Sequence, residues 1–130
     1  MVPENNTAER KFNIQTEELH KPTGPRYDGV MVKHIVMWNV VESHEGMGRQ
    51  ELLGEIKKRI EAMKGVVPQI MEIEVGIDFN GSDAAFDIAL YSVFEDRAAL
   101  DAYQVHPAHE EVKKFVGAVT TARAVADYEV

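Results

Sequence analysis

The chain contains no cysteine, which excludes a disulfide framework, a thiolate metal site and a cysteine nucleophile. It also lacks any long apolar run and any basic-then-apolar leader. Neither a spanning helix nor a secretory signal is therefore read from it, and the cytoplasm is the expected location with no membrane partner. Basic charge is in deficit, with 14 lysines and arginines against 22 acidic residues and a formal net charge of −8. That balance does not supply the positive face that phosphates require, so nucleic acid is not an expected partner. No GxxxxGK sequence, dinucleotide glycine fingerprint or GxSxG elbow occurs, and no cofactor is expected.

What is present divides near residue 30. In the first thirty residues Pro3, Pro22, Gly24, Pro25 and Gly29 are scattered among charges, with Phe12, Ile14 and Leu19 as the main apolar anchors. Such a segment cannot offset its ordering entropy unaided, so residues 1–30 read as an N-terminal extension, flexible or an arm. Residues 31–130 read as one domain.

Within that domain the hydrophobic pattern is decisive. Val32 to Val41 reads as a strand with His34, Val36, Trp38 and Val40 on one side of the pleat. Leu52, Leu53, Ile56, Ile60 and Met63 recur at helical spacing and stop at Gly65 with Pro68 just beyond, the expected end of a helix. Lys57, Lys58 and Arg59 share that helix with Glu51, Glu55 and Glu61 and read as a solvated face, not a binding patch. Met71, Ile73, Val75 and Ile77 alternate with polar or glycine positions, a strand pattern. Turn chemistry at Asn80-Gly81-Ser82-Asp83 leads into a third strand over Phe86 to Phe94, giving a hairpin. Glu95-Asp96 opens a second helical region, and Ala122 to Tyr128 reads as the last strand.

The order is β-α-β-β-α-β, which predicts an α+β, ferredoxin-like fold: a four-stranded antiparallel sheet with its helices on one face. If Phe86, Ile88 and Leu90 lie under the helices, then Ile35, Met37, Ala89, Tyr91 and Val93 form a bare apolar face. A face of that kind is rarely left to water. A homodimer through the sheet face, forming a dimeric α+β barrel, is the expected remedy.

The tract Tyr103-Gln104-Val105-His106-Pro107-Ala108-His109 holds a phenol and two imidazoles around a proline suited to the first position of a helix. It reads as a break between two short helices that brings Tyr103 and His109 near one another. His106 falls at the N-cap, where a polar side chain fixes the bend. A metal held by His106, His109 and Glu110 would need rings that converge from the cap and the first turn, and no second ligand cluster appears, so no metal is assigned.

These motifs together resemble the stress-responsive A/B barrel domains. The residues that carry the resemblance are Val32 to Trp38, Ile73 to Gly76, Phe86 to Leu90, the Tyr103–His109 tract and Val125-Ala126-Asp127-Tyr128. The resemblance implies a dimeric α+β barrel with a small cavity between each sheet and its helices. A similar plant polyketide cyclase, which forms olivetolic acid, has an acid–base pair matching Tyr103 and His109 and a cavity histidine matching His34. It also places a histidine on its third strand where this chain has Ile88, and that departure implies a greasier pocket.

The expectation is therefore a homodimer whose cavity binds a small apolar carbonyl or aromatic compound. Tyr103 and His109 are the candidate catalytic pair for a cofactor-free cyclase-like or isomerase activity. His34, Trp38, Phe86, Ile88 and His106 are the candidate substrate contacts. The alternative is a non-catalytic dimeric stress-response protein that acts by binding a ligand or partner.

Overall fold

A computed structural model describes residues 30–130, so the extension expected over residues 1–30 lies, but for Val30, outside the described residues. Strand β1 (Val32–Val40) sets the frame. Its even-numbered residues are buried and its odd-numbered ones only partly so, because successive side chains on a strand point to opposite faces. A two-residue hairpin follows, β2 (Ser43–His44) with β3 (Met47–Gly48). Its turn residues Glu45 and Gly46 have φ of 50° and 86°, the left-handed backbone that a tight hairpin turn demands.

Helix α1 (Arg49–Glu61) buries Leu52, Leu53, Ile56 and Ile60 and runs on into a 3₁₀ turn over Ala62–Gly65 that buries Met63. Its outer face is tied by the i,i+4 pairs Lys57–Glu61 and Arg59–Glu55, as a solvated helix face should be. Strand β4 (Ile70–Ile77) and strand β5 (Ile88–Phe94) pair antiparallel. In their connection the Asp78 carboxylate accepts the Gly81 N–H and the Asn80 side chain accepts that of Ser82. Helix α2 (Arg97–Gln104), helix α3 (Pro107–Val119) and strand β6 (Thr120–Glu129) complete the domain.

The strand order in the sheet is β4-β5-β1-β6, with every neighbouring pair antiparallel. This is the ferredoxin-like α+β fold. One core joins Val32, Val36, Trp38 and Val40 of β1 and Ile88, Leu90 and Phe94 of β5 to the apolar faces of the three helices, so the helices share one side of the sheet. Arg59 stacks on the Phe115 ring at 3.9 Å and links α1 to α3 on the outside. On the other side lie Ile35, Met37, Ala89 and Tyr91, partly exposed, with the Lys33 ammonium donating to the Tyr91 hydroxyl at 2.6 Å. Val93 belongs to that side by register yet is buried.

Candidate functional site

The break between α2 and α3 builds the site from local chemistry. The Asp96 carboxylate caps α2 by accepting the Ala99 N–H at 2.8 Å, and the helix buries Leu100 and Tyr103. At Val105 the chain leaves the helix. His106 then caps α3, its Nδ1 accepting the Ala108 N–H at 3.0 Å, with Pro107 as the first helical residue. His109 lies in the following turn, and its Nδ1 is 3.0 Å from the Gln104 carbonyl oxygen. A carbonyl only accepts, so Nδ1 carries the proton and Nε2 keeps its lone pair. The result is ring contact between Tyr103 and His109, with centroids 4.4 Å apart and planes inclined by 50°.

The sheet supplies the floor. Phe94 packs 4.9 Å from Tyr103, and His34 meets both in edge-on contacts, 6.0 Å from Tyr103 and 6.3 Å from Phe94. His34 is buried, and its Nδ1–H donates to the Asp127 carboxylate across the β1–β6 pair at 2.5 Å. That bond fixes the ring and leaves its Nε2 as the other polar atom. Above these groups is a cavity of about 420 Å³, within the range of small-molecule sites. His34, Trp38, Tyr103 and His109 line it together with Val36, Leu90, Ile60, Met63, Val112 and Val116. Gln104, Lys113, Gly117, Thr120 and Arg123 complete the wall.

Burial sets the protonation states. Taking Tyr103 out of water disfavours the phenolate and pushes its pKa up to about 12. Among the described residues its hydroxyl has no hydrogen-bond partner. Burial also holds the His109 imidazole below its ordinary value; the bond to the Gln104 carbonyl opposes this and the nearby Lys113 ammonium adds to it. Near pH 7 the site therefore presents a neutral phenol, able to donate a hydrogen bond, beside a neutral imidazole, able to accept a proton.

Of the residues expected to touch a ligand, His34 and Trp38 line this cavity; Phe86, Ile88 and His106 do not. Strand β5 begins only at Ile88, because the Asp87 N–H is drawn to the Trp38 carbonyl and the Asn39 side chain. Phe86 consequently precedes the strand and flanks an open groove with Met37 and Ala89. Ile88 is buried in the core opposite Trp38. His106 is turned back onto its own helix as the cap. Sequence reasoning missed Asp127, Lys113 and Arg123. Lys113 was within reach, since it follows His109 by four residues on one helix. Asp127 and Arg123 required the strand register. Among the described residues no group of three His, Asp or Glu side chains is arranged to hold a metal ion, and no helix is long and apolar enough to cross a membrane.

The fold agrees with a sequence match: residues 32–130 fit the Stress responsive A/B Barrel Domain. The chain belongs to this family. An uncharacterized protein of Streptomyces coelicolor is 29% identical over 83 residues, which cover 62% of this chain and 80% of that relative. Among solved structures of similar fold is a dimeric, ferredoxin-like protein of unknown function from Bacteroides fragilis. It is 32% identical with a TM-score of 0.68, over 77% of this A/B barrel chain and 96% of that one. The hydroxynitrile lyase of Passiflora edulis superimposes with a TM-score of 0.65 at 19% identity, over 77% and 93% of the two chains. At that identity the likeness is one of fold alone.

Proposed function

We propose that this chain is a homodimeric A/B barrel protein that binds a small, mostly apolar carbonyl or aromatic compound between sheet and helices. Tyr103 and His109 act on that compound as a cofactor-free acid–base pair, in the manner of a polyketide cyclase or an isomerase. The observation that carries this reading is the contact of the two rings, 4.4 Å between centroids, on the wall of a cavity of about 420 Å³. With Nδ1 committed to Gln104, Nε2 of His109 removes a proton from the carbon beside a bound carbonyl. The Tyr103 hydroxyl donates a hydrogen bond to the enolate oxygen as charge develops there. The enolate carbon then attacks a second carbonyl in a cyclisation, or is reprotonated elsewhere in an isomerisation. In either case the imidazolium returns its proton and the enzyme is regenerated.

Assembly as a dimer is supported by the partly exposed Ile35, Met37, Ala89 and Tyr91 on the helix-free face and by the dimeric state of the Bacteroides fragilis relative. The chemistry is tested by proton NMR in D₂O, following deuterium uptake beside the carbonyl of 4-phenyl-2-butanone. The protein should accelerate uptake, and His109→Ala should abolish the acceleration. Tyr103→Phe should reduce it by about a hundredfold, the loss typical of one transition-state hydrogen bond. Binding of the ketone with no acceleration by the wild-type protein would leave a non-catalytic binding protein in place of an enzyme, and acceleration that survives both substitutions would remove the acid–base assignment.

A further inference from the structure

The charged groups around the cavity contrast with those of the whole chain. Acidic residues outnumber basic ones 22 to 14, yet among the described residues no Asp or Glu lines the cavity, and Lys113 and Arg123 are its only side chains of permanent charge. Lys113 follows His109 by one helical turn on α3. Arg123 stands opposite Trp38 in the β1–β6 pair, so it leaves the sheet on the helix-covered side. Both are exposed, and neither is within ion-pair distance of a described carboxylate, although Lys57, Arg59 and Arg97 each form an ion pair among the described residues. Gly117 follows Lys113 by a further turn in the same wall, and a Cβ built there would meet nothing within 4 Å. The cavity is thus apolar along Val36, Trp38, Met63 and Val116, and cationic on its exposed side.

We infer that the ligand of this cavity carries an anionic group, most simply a carboxylate, which lies against Lys113 and Arg123 while its apolar body enters past Gly117 towards Tyr103 and His109. The inference rests on the binding reading above and adds a substrate class to it: apolar carbonyl compounds bearing an acid group, such as keto acids. Two cations with no carboxylate partner among the described residues, beside low-dielectric walls, raise the local concentration of anions and favour a carboxylate over a neutral head group.

The test is calorimetric titration of the full chain with octanoate and with octanamide, which share the alkyl chain and differ in the head group, an anionic carboxylate against a neutral carboxamide. Octanoate should bind about tenfold more tightly, a difference within the range of a charge-assisted contact, and the advantage should shrink as salt is added. The double variant Lys113→Met, Arg123→Met keeps the apolar stems, and it should lose the preference while octanamide binding stays unchanged. Gly117→Leu should obstruct both ligands; undiminished octanoate binding in that variant would place the anion elsewhere and overturn the inference. Equal affinity for the two ligands, or a preference that survives the double variant, would overturn it while leaving the cavity a binding site for apolar compounds. Failure of both ligands to bind would defeat the binding reading itself and this inference with it.

Discussion

On β1 the buried residues Val32, His34, Val36, Trp38 and Val40 alternate with partly exposed Lys33, Ile35, Met37 and Asn39, so one strand serves two different surfaces. Beneath the helices the two buried polar side chains of the sheet, His34 and Ser92, are tied down. The Ser92 hydroxyl donates to the His34 carbonyl at 2.9 Å, and the His34 ring donates to Asp127. On the opposite side the main polar device is the Lys33–Tyr91 contact, set among apolar side chains. The helix-covered face holds packing and chemistry together, because burial both stabilises the core and moves Tyr103 and His109 away from their ordinary acidities. Among the described residues no element covers the other face, which fits it for a second copy.

The largest expected contrast between the faces is in stability. Phe94→Ala removes a fully buried ring that touches Tyr103 and His34, and it should cost about 3–5 kcal/mol in urea unfolding. Ala89→Gly, on the partly exposed face, should cost far less, of the order of the ~1 kcal/mol typical of glycine within regular structure. Equal losses would erase the distinction between the faces.

A second contrast concerns assembly. Light scattering of the wild-type protein should give about twice the chain mass of 14.6 kDa. Met37→Lys places a charge in the proposed interface and should shift the mass to that of the single chain, since an unpaired buried charge is costly. A dimer unaffected by Met37→Lys would remove the helix-free face from the assembly.

The smallest effect is one of pH. The folded state keeps His109 below its ordinary value of 6.5, so the unfolded chain binds the extra proton first and stability falls as pH drops below about 6.5. For Tyr103, raised from 10.0 to about 12, the unfolded chain ionises first, and stability falls as pH climbs above about 10. Relative to wild type, His109→Gln should flatten the acid limb and Tyr103→Phe the alkaline limb in unfolding titrations. Unchanged limbs would show that these groups titrate alike folded and unfolded.

The strands were legible wherever alternation ran for seven residues or more, and the helix break was legible because a proline follows a capping residue. The β2–β3 hairpin was not, since two-residue strands carry no period and its first turn residue, Glu45, is not a glycine. The expectation that Phe86 and Ile88 would line the cavity failed for a related reason. A period fixes which residues share a face but not where a strand starts, nor which part of that face is packed solid. Ile88 is on the expected face and buried, yet its place is core.

The sequence by itself determined the ferredoxin-like order of elements and the bend that holds Tyr103 against His109, because alternation, helical spacing and capping act between residues close along the chain. Only the tertiary structure decided that Asp127 would hold His34 and that Arg123 would share a cavity with Lys113. Those meetings depend on the register of β6 against β1, which brings together residues about 90 positions apart in the case of His34 and Asp127 and is set by hydrogen bonding across the finished sheet.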